Sequence, residues 1–139
     1  MTQPAPRPTV CLSFDNLGEA AELEAGIWPR TRKVGRHYSV EEGLPWVLKT
    51  LGSRPATFFI EGWSAKQYPS AVASIAAAAK EVGLHGWRHE QWKGVGSQER
   101  ELLVESVVEF DGLGIKTRGF RPPGGPMTPA GIQFLASAR

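Results

Sequence analysis

Residues 56–60, with the sequence ATFFI, form an almost continuous run of β-prone and apolar side chains. A run without polar alternation is typical of a strand that is buried on both faces of a parallel sheet. Residues 9–14 (TVCLSF) form a second β-prone run, and shorter runs occur at 84–87 and 119–121. The chain therefore contains four predicted strands.

Helical segments alternate with these strands, and this order predicts an α/β fold with parallel strands. Ser39 predicts the N-cap of one helix, because Glu42 three residues later completes a capping box and Gly52 closes the segment. Three further helices are predicted, at residues 70–82, at residues 97–113 and from residue 128 to the end of the chain.

Polar motifs follow three of the predicted strands at the point where each strand ends. In parallel α/β barrels the catalytic groups cluster at the carboxyl ends of the strands. Random polar residues would not select the same end of every strand, so we predict a single site there. The motifs are Ser13-Phe14-Asp15-Asn16, His85-Gly86-Trp87-Arg88-His89 and Arg121-Pro122-Pro123-Gly124-Gly125.

His85 and His89 are spaced four residues apart, and this spacing suggests a metal site. If the segment makes one helical turn, both imidazoles project to the same side and can chelate one cation. Two unrelated surface histidines are the alternative. The position of the pair after a strand, in a chain with only three histidines, favours the ligand interpretation.

Asp15 and Asn16 close the first strand, and Arg121 opens the third motif. A carboxylate beside a metal can act as a base on water, whereas an amide oxygen is a weaker ligand than a carboxylate. An Asx turn that only caps the strand is the alternative. We predict that Arg121 pairs with Asp15 and orients it.

Several neighbouring residues are candidates for substrate contact. The prolines of the third motif stiffen its loop, and its glycines allow backbone N–H groups to approach a ligand closely. Tryptophans near strand ends can face a ligand, although a core position is at least as common for this residue type. The candidates are Glu61, Trp63, Trp87, Pro123, Gly124 and Gly125, with Trp92 as a further tryptophan near a strand end.

Composition narrows the class of protein. The 139 residues are enough for one domain, with 41% hydrophobic residues and a formal charge of +2, which gives no reason to expect nucleic acid. The lone Cys11 lies in a strand pattern, so we expect a buried and inert thiol. Residues 1–8 predict a disordered tail without the apolar segment of a signal peptide. No membrane association is expected, and the predicted location is the cytoplasm.

The three motifs resemble those of the polysaccharide deacetylases, the chitooligosaccharide deacetylase homology domain of carbohydrate esterase family four. The segments ATFFIEGWSA and AAAAKEVGLHGWRHE are also similar to this family, and the resemblance extends over residues 9–139. It implies a distorted (β/α) barrel, of which this chain covers about the first four β/α units.

The resemblance also implies roles for individual residues. Asp15 matches the general base of the family motif Thr-Phe-Asp-Asp, and His85 and His89 match its metal-binding His-x-x-x-His. Arg121 matches the arginine that supports the catalytic aspartate. Asn16 departs from the family, because it stands where a metal-binding aspartate is expected.

The third motif and the end of the chain show two further departures. Gly124 stands where the family often has an aromatic residue whose backbone N–H contributes to the oxyanion site. The histidine general acid of the family has no counterpart, because His37 precedes the second predicted strand. We therefore expect further chain, a cleaved fragment or another subunit to complete the barrel, and the 139-residue chain alone to be close to inert.

These features predict a metal-dependent hydrolase of a non-peptide C–N bond, most simply an N-deacetylase of an N-acetylated sugar or related amide. The implied cofactor is a divalent metal such as Zn, with Co, Ni or Mn as alternatives. Two other functions stay open. Asn16 favours a metal-independent amidase similar to the family's allantoinases, and the missing acid favours an inactive domain that binds carbohydrate or a partner.

Overall fold

The computed structural model describes residues 9–137. Its sheet contains the parallel strands β1 (Ser13–Asp15), β2 (Thr57–Ile60) and β3 (Glu81–Leu84), in that spatial order. Phe14 pairs with Phe58, and Phe58 pairs with Val82, so the carboxyl ends of the strands lie at one edge. The predicted α/β class with parallel strands is confirmed.

Helices fill every connection between these strands and pack against the sheet. The longest is α6 (Glu99–Gly112), which matches the helix predicted at residues 97–113. The others are α1 (Ala20–Glu24), a π-helical turn (Ser39–Gly43), α2 (Leu44–Leu51), α3 (Gly62–Gln67), α4 (Pro69–Ala77), α5 (Trp92–Val95), a 3-10 turn (Gly96–Gln98) and α7 (Pro129–Ser137).

The hydrophobic core joins the sheet to its helices. Phe58 and Ile60 of β2 are buried, but Thr57 and Phe59 are only half-buried, so the expected burial of this strand on both faces is wrong. Burying such a side chain stabilises the fold by roughly 1.5–3 kcal/mol, so the core holds the strand ends that bear the polar motifs. Its fully buried partners on the helices include Val72, Ile75, Leu103 and Phe110.

Two predicted boundaries in the middle of the chain are wrong. The helix predicted to reach residue 82 ends at Ala77, because Ala79 adopts a left-handed backbone with φ 55° that no helix continues. The strand predicted at residues 84–87 lies three residues earlier, as β3. Gly86, with φ 77°, already belongs to the turn that follows.

The predicted fourth strand at residues 119–121 is reduced to a single parallel bridge between Leu84 and Phe120. Pro122 and Pro123 follow at once, and because proline has no backbone N–H they cannot extend a ladder. The chain still runs beside β3 at this point, which is enough to bring the third motif to the sheet edge.

The predicted capping box at Ser39 is also wrong. The Ser39 hydroxyl accepts a hydrogen bond from the backbone N–H of Gly18 and lies 2.7 Å from Nδ1 of His37. Its side chain therefore links two distant loops, and a π-helical turn precedes α2. By contrast Thr128 begins α7 as predicted, since its hydroxyl accepts the N–H of Gly131.

The prediction that the Cys11 thiol is buried is wrong, because Cys11 is exposed. β1 begins only at Ser13, so Cys11 precedes the sheet rather than entering it. The tail predicted at residues 1–8 lies outside the described residues. None of the helices within residues 9–137 combines the length and apolar character needed to traverse a bilayer.

Candidate active site

The three polar motifs converge at the carboxyl edge of the sheet, as predicted. Each motif is held there by the strand beside it, because a backbone N–H of the motif donates to a carbonyl near the end of that strand. The three bonds are Asn16 N to Phe59 O at 3.2 Å, His85 N to Ile60 O at 3.0 Å and Arg121 N to Leu84 O at 2.9 Å.

Asp15 and Arg121 form an ion pair at this edge. Nη1 of Arg121 lies 2.5 Å from Oδ1 of Asp15 and 3.1 Å from the Ser13 hydroxyl. The predicted contact between the two residues is confirmed. Since both side chains are partly exposed, the pair adds at most about 1 kcal/mol to stability, and its main effect is to orient the carboxylate.

Phe59 supports this guanidinium from below, and Gly83 leaves the space for the Phe59 ring. The Arg121 guanidinium carbon lies 4.0 Å from the centroid of the Phe59 ring. A side chain at Gly83 would meet that ring, since its Cβ would lie 2.7 Å from a ring carbon. The glycine in β3 thus leaves room for Phe59, and the ring face supports Arg121 through a cation–π contact.

His85 is buried and is held in one orientation. Its Nδ1 lies 2.7 Å from the backbone carbonyl oxygen of Arg121, which can only accept a hydrogen bond. Nδ1 therefore carries the proton, and Nε2 keeps its lone pair. Burial lowers the pKa of His85, and the neighbouring His89 lowers it further, so the imidazole is neutral at neutral pH.

The turn from His85 to His89 is not helical, in contrast to the helical turn considered from the sequence. It nevertheless brings the two imidazoles together. Gly86 and His89 both have a positive φ, of 77° and 70°. Glu90 holds this turn, because its carboxylate accepts the backbone N–H groups of Trp87 at 3.0 Å and of Arg88 at 2.7 Å. The ring centroids of His85 and His89 lie 5.0 Å apart.

The two imidazoles at this edge are suitable ligands for a divalent cation, but a third strong ligand is missing among the described residues. No three His, Cys, Asp or Glu side chains group as a metal site within residues 9–137. A third ligand from the motifs would therefore be the amide of Asn16, which is exposed and sits in a left-handed conformation with φ 63°. The fixed tautomer of His85, with a free Nε2, is the form that ligates metals.

Glu61 disagrees with the prediction of direct substrate contact, because its side chain is fully buried. It directly follows β2, but it turns beneath the site, and its Oε2 accepts the backbone N–H of Leu17 at 3.3 Å. The same oxygen lies 3.1 Å from the Ser64 hydroxyl. Burial, with a smaller contribution from the charge of Asp15, raises the pKa of Glu61 to about 7.

The third motif forms a rigid loop over α5. Pro123 is buried, so the prediction that its side chain contacts substrate is wrong. Its carbonyl accepts the N–H of Trp92 at 2.8 Å. Gly124 adopts a positive φ of 63° and is exposed. The Gln91 amide occupies the space that a side chain at Gly124 would need. Gly125 is half-buried against Lys93.

The tryptophans differ in their surroundings. Trp92 is buried against Phe120 and belongs to the core. Trp87 is half-buried, its ring packs on Gly62, and the Lys66 ammonium lies 5.7 Å from the ring centroid. Trp63 is half-buried beside it. Substrate contact by Trp63 and Trp87 stays a prediction.

The sequence interpretation missed the residues that hold the motifs in place. Glu90 could have been found as an acidic residue directly after the histidine pair, and Gly83 as a glycine inside a strand, which often marks a close approach of another group. Phe59 and Gln91 carry no local signal, because their roles depend on contacts with distant segments.

Comparison with known families agrees with this geometry. The family model described as polysaccharide deacetylase matches residues 2–138. A peptidoglycan deacetylase of Helicobacter pylori is 34% identical over 73 residues, which are 50% of this chain and 25% of that protein. The chain therefore belongs to the polysaccharide deacetylase family, and it spans about a quarter of this curated relative.

Solved structures share the fold. A Mycobacterium smegmatis protein assigned as a polysaccharide deacetylase superposes with a TM-score of 0.81 at 27% identity, over 97% of this chain and 51% of that one. A family 4 carbohydrate esterase from Streptomyces lividans, in complex with acetate, superposes at 0.62 with 24% identity, over 91% and 56%. The structure is thus a part of the (β/α) barrel of these deacetylases.

A third similar structure is a mutant of a pseudoenzyme of the same carbohydrate esterase family, with restored enzymatic activity. It superposes with a TM-score of 0.68 at 26% identity, over 91% of this chain and 40% of that one. The fold therefore occurs in both active and inactive proteins, so activity has to be argued from the site.

Proposed function

We propose that this site belongs to an N-deacetylase that hydrolyses the acetamido group of an N-acetylated sugar in a polysaccharide. The observation that carries the proposal is the Asp15–Arg121 pair, with 2.5 Å between Oδ1 and Nη1, at the same sheet edge as His85 and His89. Family membership and the similarity to a peptidoglycan deacetylase support this substrate class.

In this proposal His85 and His89 would hold a divalent cation, with Asn16 as the candidate third ligand. Such a cation supplies Lewis-acid polarisation of the acetyl carbonyl when it is bound. The protein prepares His85 for this role, because the Arg121 carbonyl fixes its tautomer and burial keeps the ring neutral.

Asp15 is the proposed general base. It takes a proton from the attacking water, the water oxygen bonds to the acetyl carbon, and the C–N bond breaks to leave acetate and a free amine that takes up a proton. Arg121 neutralises and orients Asp15 throughout. The backbone N–H of Gly124 is the proposed donor to the developing oxyanion, since Gly124 is an exposed residue of the third motif.

The test is acetate release from N-acetylated chitooligosaccharides and from peptidoglycan, measured on a protein in which the whole (β/α) barrel is present. Asp15→Asn should lower the rate by about 10²–10⁴-fold, the usual value of general base assistance. Asp111→Asn, an exposed carboxylate at the end of α6, is the matched control and should leave the rate unchanged. An Asp15→Asn variant with the wild-type rate would contradict the proposal.

A second candidate is a domain that binds carbohydrate without hydrolysing it. Asn16 supports it, because a metal site with an amide in place of a carboxylate is weaker, and so does the similar pseudoenzyme. Saturable binding of a chitooligosaccharide without acetate release, in protein supplied with divalent metal, would favour this candidate.

Hydrolysis that survives complete chelation would instead favour a metal-independent amidase.

A further inference from the structure

Glu61 is an acidic residue in an unusual position, because it is fully buried below the candidate site and has no basic partner among residues 9–137. Within residues 9–137, its Oε1 has no hydrogen-bond partner and its carboxyl group forms no ion pair. A buried ionised carboxylate without a counter-charge is strongly disfavoured. Its position therefore needs an explanation other than a salt bridge.

Proton counting across its contacts favours the protonated form of Glu61. The Ser64 hydroxyl lies 2.6 Å from the carbonyl oxygen of Leu17, which can only accept, so the single Ser64 proton is used there. The second contact, 3.1 Å between Ser64 Oγ and Glu61 Oε2, then lacks a proton unless Glu61 supplies it. The raised pKa of Glu61, about 7, agrees with a protonated carboxyl.

Three contacts link Glu61, Ser64 and Leu17, and we call them the Glu61 clamp. The Ser64 O–H donates to the Leu17 carbonyl, and the Leu17 N–H donates to Glu61 Oε2. A protonated Glu61 would close the ring by donating to the Ser64 oxygen, 3.1 Å away. Both backbone polar groups of Leu17 are thus satisfied from the start of α3. Leu17 directly follows Asn16, whose left-handed backbone makes the corner after β1.

We propose that Glu61, held as the neutral carboxylic acid, is a positioning residue that sets the Asp15–Asn16 corner through the Glu61 clamp. It does not touch substrate, because it is fully buried. It acts through Leu17, two residues from Asp15 and one from Asn16. The effect on turnover rests on the proposed deacetylase function, whereas the hydrogen bonds of the clamp do not.

Kinetics of three variants test the positioning role. Glu61→Ala should lower kcat by about 10²-fold while KM stays within about threefold, since a shift of about 1 Å in a reacting group has this effect. Ser64→Ala should also lower kcat. Glu61→Gln keeps the volume and the neutrality and should recover most of kcat. Wild-type kcat in Glu61→Ala, or equal damage from Ala and Gln, would overturn the role.

Glu99→Ala is the matched control. Glu99 is also buried and accepts the Thr128 N–H and hydroxyl at the start of α7, remote from the Asp15 corner in the chain. It should lose stability to a similar degree but keep kcat within about threefold of the wild type. A fall in kcat equal to that of Glu61→Ala would show that any buried acid has the same effect, and would overturn the proposal.

Two measurements do not depend on activity and separate the clamp from the deacetylase function. Hydrogen exchange at the Leu17 amide should accelerate by about 10-fold or more in Glu61→Ala, which removes the acceptor of that amide, and unchanged exchange would overturn the clamp. Infrared spectra at about pH 6 should contain a protonated carboxyl band that disappears in Glu61→Gln; an ionised Glu61 would overturn the neutral form. If wild-type protein shows no hydrolysis, only the deacetylase function fails.

Discussion

The backbone carbonyl oxygen of Arg121 lies 2.7 Å from Nδ1 of His85. Because the Arg121 guanidinium also pairs with Asp15, one residue holds the proposed base with its side chain and a proposed metal ligand with its main chain. The two contacts can be separated by mutation, since a substitution removes the side chain and leaves the carbonyl in place.

Arg121→Ala should therefore reduce kcat without removing metal. The loss of the orienting guanidinium is expected to lower kcat by about 10-fold to 10²-fold, while metal content stays within experimental error. Acetate-release kinetics and elemental analysis of the same preparations provide the measurement. Loss of metal in Arg121→Ala would show that the side chain, rather than the carbonyl, supports His85.

Replacement of both His85 and His89 by alanine should abolish metal binding. The two imidazoles are the strongest candidate ligands at the sheet edge, and their rings are only 5.0 Å apart. In the wild type the metal–nitrogen distances should be about 2.0–2.3 Å by X-ray absorption. His37→Gln is the control, because His37 is buried beside Ser39 and Glu22. Undiminished metal content in the double variant would contradict the site.

Asn16→Asp should tighten metal binding, by about 10-fold or more if Asn16 lies in the first coordination shell. A carboxylate offsets the charge of a cation that otherwise meets only neutral donors. Asp tolerates the left-handed backbone of residue 16 nearly as well as Asn, so the change adds little strain. Metal titration of the two proteins decides the point, and unchanged affinity would place Asn16 outside the shell.

Glu61 should make stability depend on pH. Its folded pKa of about 7 is raised from 4.5, so the native state binds more protons than the unfolded state between these values. The sign follows: this contribution is fully present below about pH 4.5 and falls as the pH rises through 7, by roughly 3 kcal/mol in all.

Urea unfolding at several pH values between 4 and 8 measures this dependence, with Glu61→Gln as the comparison. The variant has no titrating group at position 61, so the difference in unfolding free energy between the two proteins should change across the window. Groups that do not interact with Glu61 titrate equally in both proteins and cancel. Parallel pH profiles for the two proteins would show that Glu61 is not protonated on folding.

Local sequence patterns could predict much of the fold and the principal site residues. The uninterrupted run at residues 56–60 predicts a parallel strand, and the alternation of strands with helices predicts the α/β class. Polar motifs at strand ends must then meet at one edge, because parallel strands end together. The Asp15–Arg121 contact follows from this rule, although 106 residues separate the partners.

Only the tertiary structure decided what lies around these motifs. Burial depends on segments that are distant in the chain, so sequence patterns did not reveal that Glu61 and Pro123 are covered or that Cys11 is exposed. The turn that joins the two histidines likewise depends on Glu90 and on positive φ angles rather than on helical spacing. Periodicity and strand order are local properties and can be read from the chain, whereas solvent access and side-chain partners exist only once the chain has packed.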